Sequence, residues 1–64
     1  MELKEFEYAS KYIQNVYINP DSVTHVITSN ESENETLIYL VGDEVVRVIG
    51  KVDNVIFKLT GQRF

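Results

Sequence analysis

The sequence predicts an α+β fold: a small antiparallel β-sheet of about five strands, with one C-terminal amphipathic helix packed on it. Three observations carry the expectation. Two β-rich apolar runs, Thr36 to Val41 and Glu44 to Ile49, flank Gly42-Asp43, a pair suited to a two-residue turn with positive φ. Past Gly50 the apolar spacing changes from strand-like to helical. Upstream, Asn19-Pro20-Asp21-Ser22 forces a change of direction, because Pro fixes φ and Asn and Asp bond their own backbone.

From the N-terminus, Phe6 and Tyr8 alternate with Glu5 and Glu7, the period of a strand with one wet face. Tyr12-Ile13 and Val16-Tyr17-Ile18 flank Gln14-Asn15, which suggests a turn or bulge in a β-ribbon and pairing of the first two strands as a hairpin. Asn19 and Pro20 also suit the N-cap and first position of a helix, with Val23, Val26 and Ile27 at helical spacing. The β-branched content of Val23 to Thr28 favours a strand there, with room for one helical turn before it. Ser29 to Glu35 holds three glutamates and no apolar residue, so an exposed, mobile connection is expected. Leu37 to Val41 is apolar without alternation, as in a strand covered on both faces. Val52, Val55, Ile56 and Leu59 then follow i, i+3, i+4, i+7, with Asp53 early, Lys58 late and Gly61 as C-cap. The helix expected is 52–60.

At 64 residues only one domain is expected. A chain this short hides about 60% of its unfolded surface, so it is marginal alone. With no cysteine, disulfides and thiolate metal sites are excluded as staples. Self-association remains, and a homodimer is the simplest expectation, with Tyr17, Leu37, Ile38, Tyr39 and Val41 as the candidate interface. The start, MELKEFEYASK, lacks the basic and apolar regions of a signal peptide, and the apolar runs are too short to span a bilayer. A cytoplasmic location and no membrane partner are expected. The net charge of −4 opposes nucleic acid and anionic lipid.

Catalytic chemistry finds little to stand on. His25 is the sole histidine, and one imidazole without an orienting partner is more often a half-buried strand residue than a base or ligand. The loop glutamates lack the spacing and central Gly of a calcium loop. Gly42, Gly50 and Gly61 lie too far apart to cradle a phosphate, and no serine stands in a nucleophile motif. No catalytic residue, metal or cofactor is expected. Tyr8, Tyr12, Tyr17 and Tyr39 are many for this length, and tyrosine is enriched at interfaces. Stacking of bases on them would need more Lys and Arg than Lys4, Lys11 and Arg47 supply.

The segments QNVYINPDSVTHV, TLIYLVGDEVVRVIG and VDNVIFKL resemble the small bacterial proteins of the FlbD type, known from flagellar operons. The residues that carry the likeness are Tyr17, Ile18, Asn19, Pro20, Asp21 and Val23, then Leu37, Leu40, Gly42, Val46 and Val48, then Val52, Val55, Ile56 and Leu59. The chain departs from that pattern in its longer N-terminal strand and in the acidic insertion at 30–35. The functional expectation is a non-enzymatic, oligomeric protein-interaction or regulatory module. The alternatives are a single-stranded nucleic-acid binder using the tyrosines, or a phage or mobile-element accessory protein acting on a host protein.

Overall fold

Five strands and one helix are arranged in two antiparallel sheets in the computed structural model, which describes residues 2–10 and 14–62. Strands β1 (Lys4–Glu7) and β2 (Asn15–Ile18) form a ribbon, with Phe6 opposite Val16 and Lys4 opposite Ile18. The expected first hairpin is present, and the Tyr8 amide donates to the Gln14 carbonyl at 2.9 Å. Tyr12 and Ile13 lie outside the described residues.

At the Asn-Pro-Asp-Ser punctuation the strand preceded by one helical turn is realised, and the helix through Val23, Val26 and Ile27 is not. Pro20–Ser22 is a 3-10 turn capped by Asn19, whose side chain accepts from the Asp21 amide at 3.0 Å. Strand β3 (Val23–Thr28) follows at once. It pairs with β4 (Glu35–Leu40), which pairs in turn with β5 (Glu44–Ile49), so β4 is the central strand of a three-stranded meander.

The β4–β5 connection is longer than the two-residue turn expected. Leu40 sits opposite Glu44, leaving Val41, Gly42 and Asp43 as the loop. The physical reason lies in Val41, whose amide donates to Ser22 of the 3-10 turn at 2.9 Å and is thereby drawn out of the ladder. Gly42 and Asp43 take positive φ, 85° and 63°, the conformation for which Gly and Asp are tolerated.

Helix α1 (Val52–Thr60) stops at Gly61, which is left-handed and donates its amide to the Phe57 carbonyl at 2.7 Å. Its start is fixed from the sheet: Thr36, fully buried, donates its hydroxyl to the Gly50 carbonyl at 2.8 Å, and the Gly50 amide donates to Asn34 at 2.7 Å.

The 29–35 segment is more tied than expected. Ser29 is buried and its amide donates to the Glu35 carbonyl at 3.0 Å, while Glu35 itself already belongs to β4. Within the turn, the Glu31 and Asn34 amides donate to the hydroxyls of Ser29 and Ser32.

The core consists of Phe6, Ile18, Ile38, Val48 and Val55, with Val26, Leu40, Val46 and Leu59 packed around it. Ile38 with its cross-strand partners Val26 and Val46, and Val48 with its partner Thr36, share one face of the meander. The ribbon and α1 therefore cover the same face. The ribbon meets the meander edge at a Tyr8–Val48 bridge and through the Ala9 amide, which donates to Arg47 at 3.0 Å.

Candidate functional site

Because the ribbon strands and the helix share one side, no described strand or helix lies over the other face of the β3–β4–β5 meander, although Ala9, Ser10 and Gln14 at the end of the ribbon stand beside Glu35 and Ile49 on it. Strand alternation and register place three rows there. One row is His25, Tyr39 and Val45; the next is Ile27, Leu37 and Arg47; the third is Glu35 and Ile49. Ile27, Val45 and Ile49 are 44%, 49% and 45% exposed, and Leu37 and Tyr39 between them are half-buried by their neighbours. The result is a surface on which Ile27, Leu37, Val45 and Ile49 lie among His25, Tyr39, Glu35 and Arg47. Single exposed apolar residues are ordinary, whereas a contiguous apolar patch marks a contact surface.

Its polar groups are already engaged. The Arg47 guanidinium donates to Glu31 at 2.6 Å and to the Ala9 carbonyl at 3.3 Å, and lies 3.5 Å from Glu35. One cation thus ties the acidic turn, β4 and the end of the ribbon together, and its charge is balanced where it stands. His25 stacks flat on Tyr39, ring centroids 4.3 Å apart and planes 9° from parallel. Its Nδ1 is 2.9 Å from the Thr24 hydroxyl, which also donates to the Tyr39 carbonyl at 3.2 Å. His25 is exposed, where a half-buried position was expected.

The sequence-derived interface residues do not form one patch. Leu37 and Tyr39 lie on the open face. Ile38 is 0% exposed and points into the core, so its side chain reaches no surface and cannot form part of a contact in the folded chain. Tyr17 and Val41 are exposed but line a separate cleft of about 380 Å³ between β2 and the β4–β5 turn, with Val16, Leu40 and Val46. There the Tyr17 hydroxyl donates to Glu5 at 3.2 Å, and the neighbouring carboxylate pushes the phenol above its ordinary value. Ile27, Val45 and Ile49, missed from the sequence, complete the face. Their signal was present, since Val26-Ile27 and Val45-Val46 break alternation just as Leu37 to Val41 does.

Among the described residues no group of three or more His, Asp or Glu side chains could hold a metal ion. Among the described residues no helix is long and apolar enough to cross a membrane. The tyrosines are distributed: Tyr8 in the ribbon-to-sheet bridge, Tyr17 at the cleft, Tyr39 under His25. No protein-family model, curated protein or solved structure matches the chain, and the FlbD likeness rests on the residues quoted for it above.

Proposed function

We propose that the protein is a non-enzymatic, oligomeric interaction module of the cytoplasm, and that its contact surface is the open face of the β3–β4–β5 meander. The observation that supports this is the group Ile27, Val45 and Ile49, well exposed beside Leu37 and Tyr39 on a face that no described strand or helix covers.

The edges are poorer docking sites than the face. Strand β3 is the outer strand of the meander, and its register shifts between Val23 and His25, a bulge of the kind that blunts edge pairing. At the other side, Tyr8 and Ala9 occupy part of β5. A self-neutralised Arg47 also lowers the cost of removing water from the face, since its charge is already paired.

The test is mass by light scattering across a dilution series to low micromolar, for the wild type and for Val45→Lys. A dimer that dissociates on dilution, with a concentration-dependent melting temperature, is expected for the wild type. Val45→Lys should be monomeric at the same concentrations with its circular dichroism retained. A wild-type chain that stays monomeric and melts at one temperature throughout overturns the proposal.

A further inference from the structure

We infer that the cleft between β2 and the β4–β5 turn receives an arginine side chain from a partner protein. The cleft lies away from the open face: Leu40 and Val46 share the inner face of the meander with Ile38. Its floor is Val16, Leu40 and Val46, all packed against the core. Its volume of about 380 Å³ falls within the roughly 300–1,000 Å³ of small ligand sites. Three hydrogen bonds set the walls. The Val41 amide donates to the Ser22 carbonyl at 2.9 Å, and Asn19 accepts from the Asp21 amide at 3.0 Å. The Tyr17 hydroxyl donates to Glu5 at 3.2 Å, which steadies a side chain that is 59% exposed. Walls held before binding leave less freedom to be lost when the cleft fills.

Charge decides the occupant. Glu44 lines the cleft, Glu5 is joined to it through Tyr17, and no Lys or Arg lines it. The ion pairs among the described residues are Lys4 with Glu2 and Arg47 with Glu31 and Glu35, so neither Glu5 nor Glu44 has a cation among them. An aromatic ring and a carboxylate over an apolar floor suit a group with an apolar stem and a cationic head. Arginine meets all three features: its methylenes lie on the floor, and its planar guanidinium can stack on the Tyr17 ring while bonding Glu44. A lysine ammonium is a compact, strongly hydrated charge and matches a ring face less well. Free arginine would bring its own α-carboxylate against Glu5 and Glu44, a like-charge approach, whereas within a polypeptide that group is a neutral amide. The occupant is therefore a side chain of a partner's chain, and the site does not depend on the dimer proposed above.

The probe is the peptide acetyl-Ala-Ala-Arg-Ala-Ala-amide, titrated into the isotope-labelled full chain and followed by amide chemical shifts. Saturable shifts centred on Tyr17, Val41 and Glu44 are expected. Replacing the peptide's arginine by citrulline, its neutral isostere, or by norleucine should weaken binding about fivefold, the usual size of a partly exposed charge contact. Glu44→Gln and Tyr17→Leu should each weaken it about threefold. Glu33→Gln removes the same charge from the acidic turn at the opposite end of β4 and should leave binding unchanged. Equal binding of the norleucine peptide would make the occupant an apolar side chain, and equal binding of free arginine would make it a small molecule. An equal loss in Glu33→Gln would reduce the attraction to net charge. Each of these results overturns the proposal, as does an absence of shifts at the three amides or full binding in Glu44→Gln or Tyr17→Leu. A wild-type chain that stays monomeric overturns the dimer and leaves this site standing.

Discussion

Replacing Thr36 by Val tests how the sheet fixes the start of the helix. The Thr36 side chain is 0% exposed and its hydroxyl donates to the Gly50 carbonyl at 2.8 Å, at the joint between β5 and α1. Val fills nearly the same volume, so little packing is lost. Removing the donor leaves a part-buried carbonyl without that partner, a cost of about 1–3 kcal/mol. Exchanging hydroxyl for methyl in apolar surroundings returns up to about 0.8 kcal/mol. The hydrogen bond wins, and a net loss of about 1–2 kcal/mol is expected. In a domain this small each kcal/mol moves the melting temperature by about 4–8 °C, so thermal and urea unfolding at one fixed protein concentration resolve the change easily. The urea slope should not alter. Amide exchange localises the effect: protection of Val55, whose amide donates to Lys51 in the first helical turn, should fall in Thr36→Val and persist in Thr36→Ser, which keeps the donor. A Thr36→Val protein as stable as wild type, with that exchange unchanged, would refute the reasoning.

Three further outcomes are expected. Ile38→Ala should cost roughly 2–5 kcal/mol, because it opens a cavity at a core position with no exposure; a urea midpoint shift no larger than that of an exposed-site variant would contradict its placement. Gly61→Ala should cost about 1 kcal/mol through the left-handed backbone at φ 77° alone, since nothing lies within 4 Å of the added carbon, and a melt indistinguishable from wild type would count against that conformation. Tyr17 should ionise above the ordinary phenol value of 10.0 because the Glu5 carboxylate stands beside it and accepts its hydrogen bond. Its raised folded value favours the folded state below the ordinary value and loses that contribution as pH rises through the folded one. Phenolate absorbance, referenced to Tyr17→Phe, should therefore shift to lower pH in Glu5→Gln, and no shift would dismiss the contact.

What was legible in the sequence followed from local chemistry. The meander hairpin, the helix at Val52–Thr60 and its Gly61 stop were all read from a change of period and a residue with special backbone freedom. The 3-10 turn was legible because Asn19 and Pro20 act on their immediate neighbours. What depended on distant pairing was not. Leu37, Ile38 and Tyr39 look alike in a run without alternation, and only the register with β3 and β5 decides that Ile38 goes inward and its neighbours outward. The extra residue in the β4–β5 loop depends on Val41 reaching Ser22, on another element. The acidic turn looked unanchored because its anchor, Arg47, is 16 positions from Glu31 and comes near only once β4 and β5 have paired.

The composition of the core sets how the chain comes apart. Phe6 comes from β1, Ile18 from β2, Ile38 from β4, Val48 from β5 and Val55 from α1. Each of these five elements gives one buried apolar residue among the described positions, and β3 gives none. No fragment that omits the ribbon, the hairpin or the helix keeps a set of side chains able to exclude water, so the chain has no smaller folding unit within it. Loss of any one contributor takes away one of the five buried side chains on which the others pack, and unfolding should be a single event in which ribbon, sheet and helix signals fall together. A tyrosine fluorescence transition that separates from the helical circular dichroism transition would show otherwise. Strand β3 gives no fully buried side chain, but Val23 and Val26 pack against the core from it and the helix rests on it, so it should fall with the rest.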